Sequence, residues 1–137
     1  LRGSFLTLNG SISNPPEEVK MLVGLGPGLT PSGDDFLAGV LLVLRLIDRP
    51  EIASKLWNFI FEAVTISTNK ISGAYLLAAS QGSATESVHR FLNSLCEVNP
   101  EQIISLKELV LNIGHTSGSD LMLGCQMALG TWIGAKK

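Results

Sequence analysis

From Phe36 to Leu44 the chain runs nine residues without a charged side chain, until Arg45 ends the stretch. Laid on a 3.6-residue helix over 34–47, the apolar side chains cover nearly every face, so the helix has no side to give to water. It must be wrapped by other elements. The run is well short of the ~20 apolar residues of a membrane span, so no transmembrane helix is expected.

The rest of the chain supplies the wrapping. Pro50-Glu51 opens a second helix with proline in its first turn, and Ile52, Leu56, Ile60 and Val64 recur along one side. A third is expected over 72–79. Ser83-Ala84-Thr85-Glu86 has capping-box spacing, and Val88, Phe91, Leu92 and Leu95 follow at helical intervals. Asn99-Pro100 starts a fifth helix, with a break expected at Ser105 and an end at Gly114, since glycine adopts the left-handed cap freely. The last is expected over 117–133, where Gly124, Ala128 and Gly130 offer a face for close helix packing. Trp57, Tyr75 and Trp132 read as packing residues and His89 as a surface side chain.

Ahead of these, Ser4-Phe5-Leu6-Thr7-Leu8 alternates as a strand does, and Asn9-Gly10 is a hairpin-type turn. The expected fold is mainly α: a single compact domain of about six helices around a buried central helix, over 21–137. A short N-terminal β segment and linker, 1–20, precede it. Starting at Leu1, that segment reads as the remnant of a longer N-terminal region.

The length of 137 residues fits one domain. Charged residues make up 16% of the chain, against the usual ~25%, which leaves few charges for the surface and favours partner subunits or a homo-oligomer. A net charge of -2, with ten unclustered Lys and Arg, offers no footprint for nucleic acid or anionic lipid. Cys96 and Cys125 lack the spaced partners of a zinc site and read as free thiols of a cytoplasmic protein.

The chemistry concentrates in Gly24-Leu25-Gly26-Pro27-Gly28-Leu29-Thr30-Pro31-Ser32-Gly33-Asp34-Asp35. An echo follows at Gly114-His115-Thr116-Ser117-Gly118-Ser119-Asp120, both motifs reading Ser-Gly-x-Asp-apolar-x-x-Gly from Ser32 and Ser117. Ser72-Gly73-Ala74-Tyr75 is a weaker third copy. Capping alone accounts for part of this, because Ser32 with Asp35, and Ser117 with Asp120, have the spacing at which serine and carboxylate satisfy orphan amides. It does not account for four glycines and two prolines over 24–33. Such a backbone admits close approach, and amides at a helix start attract anions.

Neither a Walker loop nor Gly-x-Gly-x-x-Gly is present, so nucleotide binding is not expected. If Asp35 is spent on the cap, Asp34 is the freer carboxylate, able to accept an N–H group, act as a base, or hold a divalent cation such as Mg2+ through water. His115 could donate to an anion or shuttle a proton, or simply be hydrogen-bonded in a packed turn. The expected site comprises Asp34 and His115 as catalytic residues. Gly26, Gly28, Thr30, Ser32, Gly33, Asp35, Thr116, Ser117, Gly118 and Asp120 are expected to bind a small anionic or amide substrate. No resident metal or other cofactor is predicted.

The stretch 24–39 resembles the signature of a bacterial family long catalogued as a domain of unknown function, and 114–120 is similar to its second signature, with Ser119 where many members carry a small residue. One member is the AllH-type subunit of oxamate carbamoyltransferase. The resemblance spans 21–134 and implies carbamoyl transfer between carbamoyl phosphate and oxamate, with oxalurate as product, in allantoin breakdown. It implies acyl-CoA-synthetase-like partner subunits as well. Family members are generally longer at the N-terminus. The alternatives are a non-catalytic subunit that docks a partner and a small-anion binding domain without turnover.

Overall fold

The computed structural model describes residues 15–97 and 99–136, except for the side chains of Cys96 and 132–136. The apolar run forms the central helix α1, Ser32–Leu46, whose Leu37, Ala38, Val40, Leu41, Leu42, Val43 and Leu44 are all buried. Around it lie a short 3-10 helix, Glu17–Leu22, and α2, Pro50–Ser67; then α3, Lys70–Ser80, and α4, Glu86–Glu97; then α5, Pro100–Leu111, and α6, Ser117–Lys136. α1 packs most extensively on α6 and also touches α2, α3, α4 and the 3-10 helix, while α5 bridges α4 and α6. The fold is all-α, with no strand among the described residues. The strand expected over 4–8 and the side chain of Trp132 lie outside them.

Spacing translates directly into burial on α2, where Ile52, Leu56, Ile60 and Val64 all face the core. α3 starts two residues earlier than its pattern suggests, because Asn69 caps it by accepting the Ser72 N–H at 2.9 Å. α5 runs unbroken through Ser105, whose hydroxyl donates to the Glu101 carbonyl at 3.2 Å instead of interrupting the ladder. Beyond its cap at Asn112, Gly114 stands at a φ of 60°. His89 is half-buried and not a simple surface residue, since its Nε2 accepts the Ala84 N–H at 3.0 Å before α4.

The α1–α6 crossing depends on two glycines used reciprocally. A Cβ on Gly39 would overlap the Leu121 carbonyl, and one on Gly124 would overlap the Phe36 carbonyl. Cys125, a buried free thiol, donates to the Gly39 carbonyl oxygen at 3.6 Å, and burial pushes that thiol up to about 12. Of the small residues expected to form a packing face on α6, Gly124 makes this close approach and Ala128 packs against the core, while Gly130 has open space around it.

Candidate functional site

The glycine-rich turn needs its glycines for shape. Gly24, Gly26 and Gly28 have φ of 76°, 113° and 95°, a region open chiefly to glycine. Gly24 lies against the Ser67 carbonyl, and its N–H donates to Asp34 Oδ1 at 2.8 Å. The hydroxyls of Thr68 and Ser72 donate to Asp34 Oδ2, each at 2.5 Å. Asn69 Nδ2 donates to the Leu29 carbonyl at 2.9 Å, so the turn is fastened to the α2–α3 junction twice.

Asp34 is therefore not the freer carboxylate. It is fully buried and engaged by three donors, and a cation held there through water would have to displace them. Its partners at 68 and 72 come from a distant stretch of chain, which no local spacing reports.

The capping box at Ser32 and Asp35 does not form. Pro31 is the N-cap, with no side-chain cap bond, and its carbonyl accepts the N–H groups of Asp34 and Asp35 at 2.9 and 3.0 Å. With Pro31 as the N-cap the box position falls to Asp34, and proline has no N–H for that carboxylate to cap. Asp35 is turned instead toward α6, beside the hydroxyls of Ser117 and Thr30, which hydrogen-bond to each other at 2.9 Å and leave one of their two protons for the carboxylate. Its Oδ2 is buried without a partner, and so is Oδ2 of Asp120. Burial pushes the Asp35 carboxyl up to about 6; the Ser117 and Thr30 hydroxyls pull it down, and the charges of Asp120 and Asp34 add to the rise.

The second motif repeats the first in space. Thr116 supplies the carbonyl that accepts the Asp120 N–H at 2.9 Å, as Pro31 does for Asp35, and Gly118 N–H donates to Ile113 as Gly33 N–H does to Leu25. Gly33 and Gly118 are needed for packing, since a Cβ on either would overlap the carbonyl of Leu22 or Val110.

Between the two helix starts lies a cavity of about 280 Å³, lined from the first motif by Thr30 and Asp35 and from the second by Gly114, Ser117 and Gly118. Tyr75 of α3, Thr85 and Val88 at the start of α4, Ile113 and Leu121 complete it. Gly26, Gly28, Ser32, Gly33, Asp34, Thr116 and Asp120 are not in the lining, and His115 is exposed outside it.

Tyr75, expected only to pack, and Thr85 line the cavity without having been expected there, although the Ser72-Gly73-Ala74-Tyr75 echo pointed near the first. Burial raises the Tyr75 phenol well above the ordinary range, and the charges of Asp35 and Cys125 reinforce this. A neutral phenol, three hydroxyls and one carboxylate with a vacant lone pair can align a small polar molecule and accept its proton.

Among the described residues no group of three His, Cys, Asp or Glu side chains could hold a metal ion. No helix among them is long and apolar enough to cross a membrane. No solved structure matches the chain. Residues 22–129, which contain both helix starts and the cavity between them, match the sequence model of the oxamate carbamoyltransferase subunit AllH, and the chain belongs to that family.

Proposed function

We propose that this subunit carries part of the substrate site of an oxamate carbamoyltransferase-type enzyme, and that Asp35 is its catalytic carboxylate. The observation that supports this most is the buried Asp35 Oδ2, without a partner, in the wall of a cavity that both motifs line. In the forward direction the amide nitrogen of oxamate attacks the carbamoyl carbon of carbamoyl phosphate. The new C–N bond forms, the C–O bond to phosphate breaks, and phosphate leaves with its electron pair. Asp35, ionised at neutral pH with a value of about 6, takes the proton released by the nitrogen.

Ser117 and Thr30 hold the carboxylate in place, and Tyr75 bounds the reacting groups. His115, exposed next to the cavity-lining Gly114, is the imidazole left for the anionic end of the substrate. The reading relies on positioning and proton transfer and assigns no cofactor. In the complex reconstituted with its partner subunits, Asp35→Asn is expected to lower phosphate-dependent cleavage of oxalurate by at least ~100-fold, the usual weight of a positioned base. Cleavage within a few-fold of wild type would remove Asp35 from the mechanism.

A docking role stands beside the catalytic one. Met21 and Ile66, 74% and 73% exposed, line a shallow groove, and Leu25 and Leu29, 57% and 69% exposed, project from the adjoining turn. Apolar side chains gathered in this way favour a covered surface. Acyl-CoA-synthetase-like subunits are the partners this reading assigns to it.

A further inference from the structure

We infer that the groove between the 3-10 helix and α2 seats an apolar segment of a partner subunit that carries Lys or Arg on its flanks. The inference rests on the docking reading above for the location of the surface and fixes the chemistry of what covers it. It takes nothing from the role given to Asp35.

Met21, Ala63 and Ile66 form the apolar part of the groove. The glycine-rich turn continues it with Leu25 and Leu29, because the turn begins against the lining residue Ser67, whose carbonyl a Cβ on Gly24 would overlap. Exposed apolar side chains gathered around one groove, with polar residues at its rim, have the anatomy of a surface that another protein covers.

Charge decides which protein. Glu17, Glu18 and Glu62 line the groove and are exposed, against one cation in the lining, Lys20. Lys20 is already engaged, its Nζ lying 3.3 Å from Glu17 Oε2 and 4.4 Å from the centre of the Phe59 ring. Glu18 and Glu62 therefore leave the rim with an excess of negative charge, to which a segment presenting Lys or Arg beside its apolar residues is complementary. A second copy of this chain is not, since two copies meeting through the same groove would oppose the same carboxylates. An anionic lipid surface is repelled for the same reason.

Surface plasmon resonance of the intact chain with its acyl-CoA-synthetase-like subunits tests this. Glu18, Glu62 and Ile66 are exposed, so substitutions there leave the core intact. At low salt, the double variant Glu18→Lys and Glu62→Lys is expected to slow association by about tenfold, a loss that shrinks as added salt screens the charges. Ile66→Asp is expected to speed dissociation by about tenfold. A complex weakened by Ile66→Asp but indifferent to the charge reversal would overturn this inference and leave the docking reading standing. Unchanged rates in both variants would overturn the two together. Self-association of the wild type that Ile66→Asp abolishes, or wild-type binding to phosphatidylserine vesicles, would also overturn the inference.

Discussion

An α-helix turns about 100° per residue, so carboxylates at consecutive positions leave it in different directions and meet different neighbours. Asp34 points to the α2–α3 junction and finds the Gly24 amide and the Thr68 and Ser72 hydroxyls; Asp35 points to α6 and leaves one oxygen unpaired. Asp34→Asn replaces an acceptor-only group with one that presents an NH2 to donors. We expect it to lower stability by about 3 kcal/mol, read as a lower denaturant midpoint at unchanged slope. A midpoint at the wild-type value would mean that the three bonds do not hold the turn. The Ser32–Asp35 spacing made Asp35 look spent on a cap, yet α1 starts one residue earlier than that spacing implies, with Pro31 as its N-cap, so Ser32 stands inside the first turn and Asp35 is out of register for the box. The pairing of Asp35 with Asp120 in the two motifs was open to sequence reasoning, whereas the Thr68 and Ser72 hydroxyls arrive by tertiary folding and were not.

The two Ser-Gly-x-Asp motifs matter at the scale of elements because each also carries the glycine on which the other helix rests. Gly39→Ala would drive a methyl group into the Leu121 carbonyl, backbone that cannot rotate away, and is expected to cost about 3 kcal/mol in denaturant unfolding. Gly28→Ala meets no atom within 4 Å and has only its φ of 95° to contend with, so about 1–2 kcal/mol is expected. Equal losses in the two variants would argue against the close crossing. The recurrence of Ser, Gly and Asp was legible in the sequence, but its reciprocity was not. Nothing in a linear pattern says that the carbonyls of Phe36 and Leu121 lie over the opposing glycines.

At the scale of the whole molecule, the all-apolar run dictated a wrapped helix, and periodicity placed α2 and α4 because their buried residues repeat at helical intervals. A cavity is harder to read, since it is defined by what side chains from α1, α3, α4 and α6 fail to fill. Its energetic signature is a pH dependence. With Asp35 at about 6 in the fold against 3.8 ordinarily, the unfolded chain loses this proton first. Both states hold it below about pH 3, so the contribution is flat there; stability then falls as pH rises through the interval up to about 6 and levels off about a unit above. The full drop is on the order of 3 kcal/mol, and Asp35→Asn should remove it from the pH profile of chemical denaturation.

The central claim is that Asp35 is kept for a ligand at the expense of the fold. One paired measurement on Asp35→Asn at pH 7.5 tests it most directly, combining thermal unfolding with oxalurate cleavage in the reconstituted complex. The expected result is an unchanged or higher melting temperature together with the loss of cleavage, since the substitution removes a buried, unpaired charge. A lower melting temperature with cleavage intact would contradict the claim and make Asp35 a structural residue like its neighbour.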